Sequence, residues 1–106
     1  MVDTLRPTEF VSRRDAGESF VLLDVREPQE LAICRVDGAL HIPLRELPAR
    51  LAELDPDAHV VCMCHHGMRS ASAAAFLESR DFERVSNLAG GIEAWAREVD
   101  PGMARY

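Results

Sequence analysis

The segments 20–24 (FVLLD) and 60–63 (VVCM) are apolar runs without the polar alternation of a strand that keeps one wet face. Strands of this kind need cover on both sides, which parallel sheets flanked by helices provide. Helix-like stretches separate them from two further short runs, 40–42 and 85–88. The chain therefore reads as alternating strand and helix, an α/β domain with a mostly parallel sheet.

Local signals place the remaining elements. A short strand is expected near residues 4–6, then a helix capped by Thr8 that runs to Asp15 and stops at Gly17. Pro28, suited to a first helical turn, opens a helix through Ile33. Pro48 starts another over 48–54 (PARLAEL), with Leu47, Leu51 and Leu54 on one face, and 55–57 (DPD) breaks it. The alanine-rich helix SASAAAFLESR begins at Ser70 and turns Ala73, Phe76 and Leu77 to one side. Gly90-Gly91 form a turn before a last helix over 92–98. No repeat or linker interrupts the 106 residues, so one domain spanning 1–106 is expected.

Composition removes several functions. The formal net charge is -6 with the acids scattered, so no basic face is expected for nucleic acid. There is no lysine, which excludes Schiff-base chemistry. No apolar run approaches the ~20 residues of a membrane span. An acid at Asp3 and the lack of an apolar core argue against a secretory signal in the first ten residues. Three cysteines cannot all pair, and a reducing cytoplasmic location is expected.

The chemistry lies in VVCMCHHGMRSASAAAFL, where a cysteine ends a buried strand and a helix follows at once. Ligands of open α/β sheets bind at the carboxyl ends of strands. A loop entering a helix there aims unpaired N–H groups into one cavity and favours an anion. A thiolate at Cys64 is such an anion, and its pKa is expected below the ~8.5 of a free thiol. Gly67 supplies the backbone freedom for an inward ring of amides. Arg69 closes the loop with a permanent charge, a plain pairing with a carboxylate being the alternative, while His65 and His66 flank the sulfur. Protonation of these histidines near pH ~6.5 is expected to draw in an anionic donor.

The loop 64–70 (CHHGMRS) resembles the active-site loop of rhodanese-like domains: cysteine, four residues with glycine third, then arginine and serine. Three further blocks agree in order: 22–28 (LLDVREP), 37–43 (DGALHIP) and 87–95 (NLAGGIEAW). The resemblance implies a five-stranded, mostly parallel sheet with helices on both faces. It also implies a sulfurtransferase without a cofactor. Cys64 would take the outer sulfur of a small donor such as thiosulfate as a persulfide, then pass it to a thiol, cyanide or an acceptor protein. Residues 65–70 (His65, His66, Gly67, Met68, Arg69 and Ser70) would form the anion-binding loop. Two departures stand out: Cys34-Arg35-Val36 replaces the family's Gly-His-Ile, and His65 stands where many thiosulfate-using members carry a fixed cation.

Other residues read more plainly. Cys62 is expected in the core, and Cys34 as a small apolar filler with a resolving thiol as the alternative. The string CxCHH has the wrong spacing for a tetrahedral site on a strand, so no metal is expected. His41 and His59 read as surface or strand-end residues, Trp95 as core, and Asp24 as half of an ion pair. Arg26 leaves a strand end and is expected to border the pocket. A cysteine phosphatase or arsenate reductase is a rival reading, but those loops are one residue longer between cysteine and arginine. A second rival is a sulfur-carrier or redox-sensing module that docks on a partner without turnover.

Overall fold

The computed structural model describes residues 2–106. The strands are β1 (Asp3–Leu5), β2 (Val21–Asp24), β3 (Leu40–His41), β4 (Val60–Met63) and β5 (Val85–Leu88), and the helices are α1 (Pro7–Asp15), α2 (Pro28–Leu31), α3 (Met68–Ser79) and α4 (Gly91–Glu98). The sheet order is β1-β5-β4-β2-β3, and every pairing is parallel. The sheet, expected to be five-stranded and mostly parallel, is parallel throughout the described residues.

Alternation along β4 divides the core. Val60, Cys62 and Cys64 join Leu77, Ala73 and Ala74 of α3 on one face. Val61 and Met63 join Phe10 of α1 with Ile92 and Trp95 of α4 on the other. All five residues from Val60 to Cys64 are essentially unexposed, which is why the run carries no polar residue. From β2 the chain steps outward to β3, then returns through β4 toward β5. The direction reverses between β2 and β4, so the crevice at their carboxyl ends is where this topology opens a site.

Several boundaries differ from the sequence reading. Arg6, not Thr8, caps α1, because Pro7 takes the first helical position and the Glu9 carboxylate accepts the Arg6 N–H at 3.2 Å. Helix α2 ends at Leu31, short of Ile33. The helix expected over 48–54 does not form. In its place 3₁₀ turns at Leu44–Glu46 and Leu51–Glu53 flank a turn that contains Pro48. The chain closes the shorter three-residue bonds there, Leu47 N–H to Leu44 O at 3.2 Å and Leu54 N–H to Leu51 O at 3.1 Å. Leu47 and Leu54 still reach the core. Helix α3 starts at Met68, two residues before Ser70, so Arg69 lies in its first turn.

Candidate active site

Cys64 follows directly on β4, the middle strand, and its side chain is 1% exposed. The loop is folded back by α4. The N–H of Ile92 donates to the Cys64 carbonyl at 2.8 Å, and that of Glu93 to the His65 carbonyl at 3.1 Å. With both carbonyls drawn away, the amides that follow are free to face the sulfur. Gly67 caps α3 at φ +116°, a conformation only glycine adopts without strain. Its N–H donates to Cys64 Sγ at 3.1 Å.

The Ser70 hydroxyl is fully buried, 3.3 Å from Cys64 Sγ and 2.6 Å from Asn87 Oδ1. Asn87 is itself held, since its amide donates to the Gly67 carbonyl at 3.1 Å. One hydroxyl proton serves two acceptors, Asn87 Oδ1 and Cys64 Sγ. Burial pushes the Cys64 thiol up, but the Ser70 hydroxyl and the N–H groups of Ser70, Gly67 and His66 outweigh it, so the net shift is downward. Among the described residues Cys62 has no such partners: burial, then the neighbouring Cys64, pushes it up to about 12. It packs in the core at 0% exposure.

The rim differs from expectation at Arg69. Its guanidinium does not offer a free charge to the loop; Nη1 and Nη2 lie 2.6 and 2.8 Å from the two carboxylate oxygens of Glu30. Arg26 is fully buried and paired with Asp24 at 2.8 Å, the ion pair expected for Asp24. It meets the site through Tyr106, whose hydroxyl accepts from Arg26 Nη1 at 3.0 Å. The Tyr106 ring stacks on His65 at 3.8 Å, and His65 on His66 at 3.9 Å. Burial and then His66 push the His65 pKa below its ordinary value, which favours the uncharged ring. Met68 projects outward, 84% exposed.

The remaining residues fall as follows. Cys34 is half-buried against the α1–α4 core, and Trp95 is in that core. His41 is half-buried, with Nε2 2.6 Å from the Arg26 carbonyl oxygen. His59 stands at the strand end, directly before β4, but is buried at 8% exposure with Nε2 2.7 Å from Ser86 Oγ. Ligand atoms of His65, His66 and Glu93 lie within 4.8 Å of one another, a third donor that the sequence string did not contain. Glu93 is paired with Arg105, however, and His65 is sandwiched between two rings, so a metal would have to break both arrangements. No helix among the described residues is long and apolar enough to cross a membrane.

Sequence reasoning missed Glu30, Asn87, Gly91 and Tyr106. The block 87–95 contained two of them, yet only the fold shows that Gly91 abuts the loop. A Cβ at Gly91 would lie 2.4 Å from the Cys64 carbonyl oxygen.

Parallel α/β topology and an amide-lined loop together define a class: domains that present a single buried cysteine at the head of a helix. Among these, the chain belongs to the rhodanese-like domain family, whose family model matches residues 6–98. It is 41% identical over 98 residues to a sulfurtransferase of Allochromatium vinosum, covering 92% of each chain. It is 36% identical to the thiosulfate sulfurtransferase GlpE of Stutzerimonas stutzeri, over 84% of this chain and 80% of that one. The crystal structure of reduced Bacillus anthracis CoADR-RHD superposes with a TM-score of 0.83 and 35% identity, over 99% of this chain and 18% of that one. Two further curated relatives are much longer, and the chain spans 27% of each.

Proposed function

We propose that the protein transfers a sulfane sulfur from a small donor, thiosulfate among them, to a thiophilic acceptor through a persulfide on Cys64. The observation that carries this reading is the Cys64 thiol, buried yet shifted toward the thiolate by Ser70, Gly67 and His66. A thiolate attacks the outer sulfur of thiosulfate, the donor S–S bond breaks, and sulfite leaves with the electron pair. The same donors then face the persulfide, whose terminal sulfur is also an anion. A cyanide, thiol or protein cysteine removes that sulfur and restores Cys64.

Further support comes from the relatives named as sulfurtransferases and from the thiosulfate activity in the name of one of them. Residues 65–70 act as the binding loop in this reading, and residues 1–106 as one domain that needs no cofactor. A reactive thiol of this kind suits a reducing compartment, the cytoplasm. Four residues separate Cys64 from Arg69, and Arg69 is turned onto Glu30. The ring is thus one residue shorter than the loops of a cysteine phosphatase or arsenate reductase, which disfavours those readings. A relative named as a putative sulfur carrier protein favours a second reading, a carrier that uses the same persulfide for a partner protein.

Intact-mass measurement after incubation with thiosulfate tests the proposal. One added sulfur is expected on the wild type and none on Cys64→Ser. A wild type that stays unmodified by every sulfane donor, while its thiol alkylates normally, overturns it.

A further inference from the structure

Arg69 reaches the site with its charge already engaged. Its two terminal nitrogens meet the two oxygens of Glu30 in a parallel fork, the strongest geometry open to this pair. Glu30 is fixed from two other directions. The N–H of Glu27 donates to Oε1 at 2.9 Å, and the Tyr106 hydroxyl donates to Oε2 at 2.7 Å. Tyr106 is in turn fixed by Arg26 behind it and by its stack on His65. Arg69, followed by the other donors, holds the Glu30 carboxyl down to about 2. Its folded value lies below the ordinary one, so the pair persists above the ordinary carboxylate range and is lost only as pH falls toward about 2.

The other guanidinium groups around the loop are matched as well, Arg26 by Asp24 and Arg105 by Glu93. Thiosulfate is a dianion, and its sulfite leaving group keeps two charges beside the ring. Arg69, held by Glu30, is not free to compensate them, and burial disfavours a charge on His65.

Resting on the persulfide reading above, we propose that Glu30 and Tyr106 determine donor selectivity: by clamping Arg69 they favour a small thiol persulfide over thiosulfate. In this reaction the Cys64 thiolate attacks the outer sulfur of R–S–SH. The Cys64 Sγ–S bond forms, the donor S–S bond breaks, and the electron pair leaves on R–S⁻ while the proton stays on the transferred sulfur. No oxidant or reductant is consumed, and no dianion has to be stabilised.

The test compares wild type, Glu30→Gln and Tyr106→Phe with thiosulfate and with cysteine persulfide, reading KM and kcat separately and loading of Cys64 by intact mass. The wild type is expected to use cysteine persulfide with a kcat/KM at least about tenfold higher. Glu30→Gln frees the guanidinium, so the thiosulfate KM falls by about fivefold while its kcat moves little, and added salt erases the gain. Tyr106→Phe shifts the same KM in the same direction by less. If Cys64 still loads but neither substitution lowers the thiosulfate KM, or both donors weaken together, the clamp has no role in selectivity and this proposal alone falls. A wild type that prefers thiosulfate overturns it as well. If neither donor loads Cys64, the persulfide reading falls with it.

Discussion

Gly91 presses so closely on Cys64 that a side chain there has no room: its Cβ would come within 2.4 Å of the Cys64 carbonyl oxygen and 2.5 Å of that of His65. Both obstacles are backbone atoms tied to α4 by the Ile92 and Glu93 N–H groups. Gly91 also has φ +60°, which side chains tolerate poorly. Gly91→Ala should therefore cost about 2–4 kcal/mol and turn the loop amides off the sulfur. Urea denaturation and a sulfur-transfer assay check this together. A stable, fully active variant would show that the α4 contact does not shape the loop.

The Ser70 hydroxyl stands between Cys64 and Asn87 with one proton for both. Removing it leaves the sulfur with amides alone, so Ser70→Ala should raise the Cys64 pKa and lower turnover at neutral pH by about tenfold, the scale of one hydrogen bond to a charged group. The iodoacetamide alkylation midpoint reports the first effect and steady-state kinetics the second. An unmoved midpoint would assign the shift to the amides alone.

How much of this was legible beforehand follows from the range of each interaction. The unbroken run ending in Cys64 signalled a strand covered on both faces, and the loop and helix after it lie within a few residues, so sulfur, Gly67 and Ser70 could all be read locally. Pro48 suits a first helical turn, yet it lies in the turn between two 3₁₀ segments, a choice that the local sequence does not decide. Arg69 reads locally as a charge that closes the loop or pairs with a carboxylate, and the carboxylate it meets, Glu30, lies 39 residues away. Tyr106 lies 76 residues from Glu30, in a segment with no pattern of its own. Only the sheet order, which sets the end of β2 beside that of β4, brings these residues together.

The three cysteines should separate cleanly. Cys64→Ser should abolish transfer with the fold intact, while Cys34→Ala keeps most activity. Cys62→Ala should also stay active but lose about 1–2 kcal/mol, because it empties part of a closed core. Its thiol is raised to about 12 in the fold against ~8.5 unfolded. That contribution is fully present below the unfolded value and is lost as pH rises toward about 12. Cys62→Ala should accordingly remove part of the alkaline loss of stability that the wild type shows above pH ~8.5 in denaturant titrations. Identical alkaline profiles would sink this account.

The pH dependence of turnover distinguishes the structure from the sequence reading. On sequence grounds the histidines gain charge near pH ~6.5 and draw thiosulfate in, so turnover rises as pH falls. In the folded protein, burial and then His66 push His65 below its ordinary value, so its protonation is moved to lower pH. Cys64 moves the other way from an ordinary thiol: its folded value lies below the unfolded one, so the thiolate and the stability it contributes are present above the unfolded value and are lost as pH falls through the folded one. Alkylation of Cys64 should already be fast near neutral pH. Thiosulfate kcat/KM should then hold level and decline as pH falls through the Cys64 ionisation, with no rise toward ~6.5 from His65. His65→Asn should leave the shape of this profile unchanged, since burial favours the uncharged His65 ring. A rise on acidification in the wild type that His65→Asn abolishes would restore the charge to His65 and overturn the electrostatic account of the rim.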